Sequence, residues 1–298
     1  MEQDPQSLLD QRLVRRAFDR AAARYDAHAV LQQEINRRML ERLEYIRIAP
    51  HRLLDAGSGT GEGLRGLRER WPHAQAVALD LAEAMLVRAC PQPGLWQRLR
   101  KMPTAWPVCG DMEALPVRSV SMDLVWSGMA LQWCNQPARA LAEFHRVLAP
   151  GGLLMFSTFG PDTLRELREA FASVDGYRHV NRFVDMHDLG DELVRAGYAA
   201  PVMDMEFIRL TYADLSTMLR EIKAIGAHNV AAGRNPGLTG RARWRALESA
   251  MERYRQDGRL PLTWEVVYGH AWKPQAPAPD PAIRPVVWHG RIRSEGEA

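Results

Sequence analysis

The residues with the clearest chemical potential lie in the stretch LLDAGSGTGEG, residues 53–63. A short apolar run ends there in Asp55, and glycine then occupies every second position, at Gly57, Gly59 and Gly61. A glycine loop between a strand and a helix lets a ligand approach the backbone, and it leaves the N-terminus of the helix facing that ligand. The stretch therefore predicts a loop that binds a nucleotide-like molecule.

The glycine spacing and the acid together indicate which nucleotide-like molecule is favoured. A P-loop requires GxxxxGK[ST], and no Lys-Ser or Lys-Thr follows these glycines. The dinucleotide fingerprint GxGxxG differs from the GxGxG found here, and Asp55 would repel a pyrophosphate. The same acid attracts a cation, and S-adenosylmethionine carries an ammonium and a sulfonium group but no phosphate. Charge therefore favours S-adenosylmethionine as the cofactor.

Further residues suited to that cofactor follow in the order that a doubly wound sheet requires. Asp80, followed by Leu81, ends the next apolar run, where a carboxylate can accept hydrogen bonds from both hydroxyls of a ribose. Asp111 and Met112 provide an acid for an adenine amino group and an apolar side chain for its ring. Ser127 ends the run MDLVWS and leads into ALQW, which we expect to line the floor beside the reacting methyl group. Each acid alone is typical of a solvated loop, but the four pieces in chain order predict a cofactor site.

Alternating strands and helices are predicted to position these residues. The predicted strands cover residues 52–56, 74–80, 122–127 and 153–158, and the predicted helices cover residues 61–71, 82–90 and 137–148. Elements of this length in this order indicate βαβ units. The predicted fold is α/β, with a doubly wound, mainly parallel sheet of the class I methyltransferase, Rossmann-like type.

The chain divides into four predicted regions, residues 1–48, 49–160, 161–272 and 273–298. The first is an N-terminal helical segment, and the second is the cofactor-binding α/β core. The third is a helical insertion that forms the substrate region or a lid, together with a closing strand at WEVVYGHAW. The fourth is a Pro-rich tail that we expect to be disordered.

Composition excludes several classes of protein. The 298 residues are 46% hydrophobic and 25% charged, which suits one large α/β domain with an insertion. We find neither a secretory signal pattern nor an apolar run near the roughly 20 residues of a membrane span, so we expect a cytoplasmic protein without membrane contact. The formal charge of +3 is too small to indicate a nucleic-acid partner. Cys90, Cys109 and Cys134 are too far apart for a CxxC-type zinc site, so we expect buried structural thiols and no metal.

Several motifs resemble those of known enzymes. LLDAGSGTGEG, LDLAEAML, GDMEALP and LAPGG are similar to motifs of S-adenosylmethionine-dependent methyltransferases, over residues 50–158. Outside that core, the N-terminal RRAFDRAAARYDAHAVLQQEINRRMLERL, FSTFGPDTLRELREAF, HVNRFVDMHDLGDELVRAGY, LREIKAIGAHNVAAGRNPGLTGRARW and LPLTWEVVYGHAW resemble the malonyl-acyl carrier protein O-methyltransferases of biotin synthesis. The resemblance ends near Trp272. It implies methylation of the free carboxylate of malonyl-acyl carrier protein, towards pimeloyl.

The resemblance also implies candidates for catalysis. A malonyl carboxylate is ionised at pH 7, so no general base is required, and the enzyme must instead position the carboxylate and exclude water. Tyr25 is the first candidate, since related methyltransferases place a tyrosine from an N-terminal helix over the cofactor; the alternative is a half-buried tyrosine at a helix end. Trp133 could form a wall of the methyl site, with core packing as the alternative. Gln32 could touch the methionine part of the cofactor, although an exposed glutamine is the simpler interpretation.

Basic residues concentrate in one late segment. Residues 215–260 contain nine Lys or Arg against four acids. Because acyl carrier proteins are strongly acidic, we expect Arg241, Arg243 and Arg245 to help dock the carrier, although a solvated helical face has the same composition. The arginines lack interleaved aromatics that would stack nucleic-acid bases.

Two other functions remain compatible with the sequence. One is a different enzyme on the same fold, either a methyltransferase for a small carboxylic acid or quinone precursor, or a relative of the mitochondrial complex I assembly factor that hydroxylates an arginine. The other is a module that binds the cofactor without turnover.

Overall fold

A single seven-stranded sheet forms the centre of the protein. The computed structural model describes residues 8–91, 105–226, 230 and 240–275. Its strands are β1 Arg52–Ala56, β2 Gln75–Asp80, β3 Trp106–Cys109, β4 Met122–Gly128, β5 Leu148–Phe159, β6 Ala199–Tyr212 and β7 Leu260–Trp272. Their spatial order is β3-β2-β1-β4-β5-β7-β6. The first five strands run parallel, and β7 is antiparallel to both β5 and β6.

Helices cover both faces of this sheet. They are α1 Gln11–Ala21, α2 Tyr25–His28, α3 Val30–Arg42, α4 Glu62–Arg70, α5 Glu83–Ala89, α6 Pro137–Val147, α7 Arg165–Ala172, α8 Met186–Arg195, α9 Leu215–Ala224 and α10 Arg241–Glu252. Single 3₁₀ turns lie at Met112–Ala114 and Leu131–Trp133. The predicted doubly wound α/β fold is confirmed, and its predicted core elements other than β5 begin and end close to the predicted bounds.

The central strands β1 and β4 are mostly apolar because both faces of the sheet are buried there. Leu53 and Leu54, adjacent in β1, are completely buried and belong to two separate hydrophobic clusters, one on each face of the sheet. Leu124 and Val125 of β4 divide in the same way. Between β1 and β4 the strand order reverses, and open α/β sheets form their ligand crevice at that point, outside the carboxyl ends of the strands.

The third predicted region contains a long strand that the sequence interpretation missed. β6 forms the edge of the sheet and pairs with β7 from Val202↔His270 to Tyr212↔Leu260. Its outward residues are exposed, including Val202 at 50% and Phe207 at 52%, so the sequence lacks the apolar run of a buried strand. The region therefore extends the core sheet instead of forming a helical insertion with one closing strand. Its predicted helical parts contain α7, α8, α9 and α10.

Two smaller expectations also differ from the structure. Cys109 is exposed, because it ends the edge strand β3, whereas Cys90 and Cys134 are partly buried. The strand predicted over residues 153–158 begins earlier, at Leu148, so the Pro-Gly-Gly at residues 150–152 lies within β5 and not between α6 and β5. Most of the predicted tail, residues 276–298, lies outside the described residues. No helix in the described part of the chain has the length and apolarity to cross a membrane.

Candidate cofactor and substrate site

The glycine loop turns tightly between β1 and α4. Gly57 and Ser58 both donate their backbone N–H to the carbonyl of Leu79, at 2.7 and 2.9 Å. Gly57 has a φ of +80°, and a Cβ at this position would lie 2.2 Å from the Cβ of Ala130. Glycine is therefore required at Gly57 by both the backbone conformation and the contact with the opposite wall.

Asp80 holds this loop in place from the end of β2. Its Oδ2 accepts the N–H of Gly59 and its Oδ1 accepts the N–H of Ala82, each at 2.8 Å. The side chain is partly buried and lines a cavity at the crevice predicted from the strand order. Burial raises the pKa of Asp80, while the two backbone donors oppose that rise. The carboxylate keeps further lone pairs for the hydroxyls of a ribose.

The adjoining loops supply the predicted apolar and acidic contacts. Leu81 follows Asp80 and lines the same cavity. Asp111 and Met112, at the start of a 3₁₀ turn after β3, also line it, and Asp111 accepts the N–H of Glu113 at 2.8 Å. The structure thus brings these four side chains to one cavity, as the sequence predicts.

Tyr25 and Trp133, predicted from different parts of the chain, face the same cavity. Phe18 of α1 links them, because its ring centroid lies 6.5 Å from that of Tyr25 and 5.0 Å, edge to face, from that of Trp133. Burial, and then the charges of Asp80 and Asp26, raises the pKa of Tyr25, so its hydroxyl remains a neutral donor at pH 7. The sequence analysis missed Phe18, because its place in the N-terminal helical segment, residues 1–48, is indistinguishable from that of a core residue.

A side-chain contact ties the N-terminal segment to the glycine loop. The hydroxyl of Thr60 donates to Asp26 of α2 at 2.5 Å. Gln11 of α1 donates from Nε2 to the carbonyl of Trp133 at 2.9 Å. Helices α1 and α2 therefore both line the cavity, and each is hydrogen-bonded to a loop beside it.

Asp55 and Ser127 lie behind the loops rather than in the wall. Asp55 is 2% exposed, and its Oδ2 has no hydrogen-bond partner among the described residues. Ser127 is completely buried and donates to the carbonyl of Ala56 at 2.9 Å, so its predicted contact with the cofactor is not supported. Gly128 and Ala130, next along the chain, line the cavity instead. Gly61 begins α4 with a φ of +87° and packs against α5.

The residues at this cavity fit S-adenosylmethionine. Asp80 and Asp111 line it, and Gln32 adds a buried Oε1 that has no partner in the described part of the chain. No Lys, Arg or His occurs among its described lining residues, so a phosphate would find no cationic side chain. The unpartnered Gln32 acceptor and the two carboxylates favour a ligand that brings its own positive charge and N–H donors. Among the described residues, no group of three or more His, Cys, Asp or Glu is arranged to hold a metal ion.

Comparison with known proteins agrees with this geometry. A methyltransferase domain family matches residues 54–156. A malonyl-[acyl-carrier protein] O-methyltransferase from Gallionella capsiferriformans is 57% identical over 90% of this chain and 92% of its own length. Another from Laribacter hongkongensis is 60% identical over 90% of this chain and 91% of its own length. The chain belongs to the malonyl-[acyl-carrier protein] O-methyltransferase family.

Solved structures show the same fold at much lower identity. The YcgJ protein from Bacillus subtilis covers 80% of this chain and all of its own, with a TM-score of 0.56 at 15% identity. At that identity the likeness shows the fold alone. The assignment to the malonyl-[acyl-carrier protein] O-methyltransferase family therefore depends on the sequence relatives.

The arginines predicted to dock a partner lie outside the cavity. Arg241, Arg243 and Arg245 are exposed on α10. At 3.6 residues per turn, Arg241 and Arg245 share one face, whereas Arg243 points about 160° away from Arg241. Arg243 instead lies 3.9 Å from Asp175, between Nη1 and Oδ2, and beside the ring of Tyr177. The three arginines therefore do not form one surface in this family member.

The buried Asp55 predicts pH-dependent cofactor binding. Burial, and then the charge of Asp80, raises the pKa of Asp55 to about 8. Asp55 is then largely protonated at pH 7 without cofactor, and a cationic ligand lowers its pKa and releases the proton. We expect the affinity for S-adenosylmethionine to rise towards pH 8, by up to about tenfold per pH unit. Because ionisation of this buried acid opposes folding, the cofactor-free protein should lose stability as the pH rises towards about 8.

Titration calorimetry between pH 6 and 9, in buffers of different ionisation enthalpy, measures the released proton. The matched control is Asp55→Asn, which should bind with less pH dependence and release fewer protons. The amino group of the cofactor titrates equally in both experiments, so the difference between the two proteins isolates Asp55. Equal proton release by both proteins would contradict the assignment.

Proposed function

We propose that this protein transfers a methyl group from S-adenosyl-L-methionine to the free carboxylate of malonyl-acyl carrier protein, forming its methyl ester. The observation that carries the proposal is the 57% and 60% identity, over 90% of the chain, to enzymes of that name. The cavity supports it, because its acids and unpartnered acceptors suit a cationic methyl donor. The product would be a precursor of the pimeloyl chain of biotin.

The proposed reaction moves no proton. S-adenosylmethionine, when bound, supplies an electrophilic methyl group on a positively charged sulfur. A carboxylate oxygen of the substrate forms the new bond to this carbon, while the carbon–sulfur bond breaks and its electron pair remains on sulfur. Asp80 would hold the ribose, and Asp111 and Met112 would hold the adenine. The remaining task for the chain is to align the carboxylate and keep the cavity dry, which can supply roughly 7–11 kcal/mol in well-oriented reactions.

Tyr25 is suited to that task. Its neutral hydroxyl can donate a hydrogen bond to the substrate carboxylate without protonating it, and its ring, with Phe18, covers the cavity. We expect Tyr25→Phe to lower kcat about tenfold, as for one hydrogen bond to a charged group, and to leave cofactor affinity within about twofold. Steady-state kinetics and calorimetry measure both quantities.

Tyr45, which is 89% exposed, provides the matched control. Tyr45→Phe should leave kcat unchanged. If Tyr25→Phe were as active as Tyr45→Phe, Tyr25 would be a packing residue only.

An exposed face of α10 is proposed to dock the acidic carrier protein. The first turn of α10 contains Arg241 and Arg243 and no acid, although positive charge at a helix N-terminus opposes the helix dipole. Residues that destabilise the helix they belong to suggest a role in binding a partner. Arg241 and Arg245 share one exposed face of α10, which supports docking by these two.

We expect the double reversal Arg241→Glu, Arg245→Glu to raise the KM for malonyl-acyl carrier protein about tenfold, most strongly at low salt, with cofactor affinity unchanged. The control is the double reversal Arg52→Glu, Arg118→Glu, which changes the net charge by the same amount. Arg52 is exposed at the start of β1, and Arg118 is exposed before β4. An equal effect of both reversals would indicate a response to net charge, and no effect of either would contradict docking on α10.

Intact mass spectrometry tests the proposed function directly. Purified malonyl-acyl carrier protein is incubated with the enzyme, with and without S-adenosylmethionine. A cofactor-dependent gain of one methylene that gentle ester hydrolysis removes would support both the reaction and the substrate. An unchanged mass, with cofactor binding intact, would indicate another acceptor or a module without turnover.

A further inference from the structure

A second cavity, here called the side cavity, adjoins the cofactor cavity. Four residues line both of them: Gln132, Trp133, Phe159 and Trp264. The side cavity is further lined by α7, by the segment that follows it, and by α9. The two cavities are therefore adjacent at these four side chains.

The side cavity has mostly apolar walls and reaches the surface of the protein, so it can act as a passage. Its walls include Leu167 and Phe171 on α7 and Leu219 and Ile222 on α9. Lys223, in the last turn of α9, also lines it and is exposed, so the passage reaches the surface there. An apolar passage of this kind suits a chain of methylene groups.

Two polar atoms at the side cavity have no partner among the described residues. Trp264 is 4% exposed, and its Nε1 is buried without an acceptor. Asn181 has a buried Oδ1 without a donor. A buried donor or acceptor without a partner is costly, and native structures keep few of them. One N–H donor and one carbonyl acceptor in apolar walls are complementary to a ligand that carries both acceptors and N–H groups.

Two other polar side chains of the side cavity, Gln132 and His179, are already hydrogen-bonded. Gln132 donates to the carbonyl of Met129 at 2.7 Å and lies 3.2 Å from the hydroxyl of Thr158. His179 contacts Asp175 at 2.8 Å and stacks on Phe171 with 3.8 Å between ring centroids. The two atoms without partners therefore stand apart from the hydrogen-bonded groups around them.

We infer that the side cavity holds the pantetheine arm of the substrate, and that the Trp264 N–H donates to the malonyl group at its inner end. This inference depends on the proposed function. A pantetheine thioester is a linear chain of methylene groups interrupted by amides, which need a few donors and acceptors between apolar walls. The methyl donor lies in the cofactor cavity, so the free carboxylate must enter first and the arm must trail towards Lys223. An uncharged donor orients the carboxylate oxygens without pairing them to a cation.

Narrowing the side cavity tests the inference. Leu219→Trp adds bulk to the passage, whereas Ser216→Trp places the same side chain at an exposed position of the same helix. Each variant is assayed with malonyl-acyl carrier protein, malonyl-coenzyme A and malonyl-N-acetylcysteamine, which has only the first part of the arm. We expect Leu219→Trp to raise KM at least about tenfold for whichever full-length arms the wild type accepts, relative to Ser216→Trp, with the short substrate less affected.

The two full-length substrates distinguish the arm from the carrier surface. If the wild type accepts both and only the carrier protein responds to Leu219→Trp, the side cavity contacts the protein and the inference is overturned. Equal kinetics of Leu219→Trp and Ser216→Trp would overturn it as well. A wild-type enzyme that methylates none of the three substrates would refute the proposed function, and this inference with it.

A second variant keeps the test decisive if Leu219→Trp fails to fold. Trp264→Phe removes the N–H and keeps an aromatic ring, so it should lower kcat about tenfold or more on every accepted substrate, including the short one. Binding of S-adenosylhomocysteine should remain within about twofold, because an aromatic ring still lines the cofactor cavity and only the N–H assigned to the substrate is lost. Unchanged kcat would overturn the role of the Trp264 N–H.

Discussion

Gly57→Ala is expected to lower the affinity for S-adenosylmethionine by about 100-fold or more. The φ of +80° at Gly57 costs an alanine roughly 1–2 kcal/mol. The added Cβ would lie 2.2 Å from the Cβ of Ala130, and overpacking of this kind costs a further 1–3 kcal/mol or so. The N–H of Gly57 is hydrogen-bonded to the carbonyl of Leu79, so the clash can be relieved only if the glycine loop or the segment at Ala130 moves. Both segments line the cofactor cavity. Calorimetric titration with the cofactor measures the loss.

Two further variants separate the clash from the backbone strain. Gly59 has a φ of +52°, and a Cβ added there would have no atom within 4 Å. Gly59→Ala should therefore lower the cofactor affinity through backbone strain alone. The double variant Gly57→Ala, Ala130→Gly lacks the opposing Cβ at position 130. Its affinity for S-adenosylmethionine should recover towards that of Gly59→Ala. If the double variant bound no better than Gly57→Ala, the contact with Ala130 would not be the cause.

Asp80→Asn is expected to lower cofactor affinity about 50-fold, which corresponds to the loss of a charged hydrogen-bond acceptor. The carboxylate accepts one backbone N–H on each oxygen, from Gly59 and from Ala82, and an amide can accept only one of them. The same change removes an acceptor for the ribose.

Stability should respond to Asp80→Asn in the opposite direction. Burial raises the pKa of Asp80, so ionisation at neutral pH opposes folding, and a neutral amide removes that cost. We therefore expect the melting temperature of the cofactor-free protein to stay level or rise while binding falls. Thermal melts with and without cofactor measure the two effects separately.

Asp123 offers a matched control near the amino-terminal end of the central strand β4, away from the cofactor cavity. Its Oδ2 accepts two backbone N–H groups, from His51 and Arg52, at 2.9 Å each, before β1 and at its first residue. Asp123→Asn should lower stability by about 1 kcal/mol and leave cofactor affinity unchanged. Equal losses of affinity in Asp80→Asn and Asp123→Asn would mean that Asp80 acts only through the fold.

The cofactor half of the site could be predicted from short stretches of sequence. Asp80, Asp111 and Met112 each follow a strand directly, and the carboxyl ends of parallel strands meet at one edge of the sheet. Ser127 is in the same kind of position, yet its hydroxyl turns back to the carbonyl of Ala56. A strand position therefore predicts the region of a side chain but not the direction in which it points.

The substrate half could not be predicted in this way. Trp264 and Phe18 are far apart in the chain, and the sequence predicts each only as part of a strand or a helix, so their roles at the cavity follow from packing. The edge strand β6 was missed because its partial exposure hides the apolar pattern, although its pairing with β7 continues the sheet beside Trp264.

The sequence by itself determined the fold class and the cofactor loop, because glycine spacing, strand-end acids and βαβ alternation act over a few consecutive residues. It determined the family through the likeness of longer stretches to known relatives. Only the tertiary structure decided which arginines share a face and which side chains close the cavity. It also decided which buried polar atoms lack partners. These properties depend on contacts between residues that are distant in the chain, and no local pattern records such contacts.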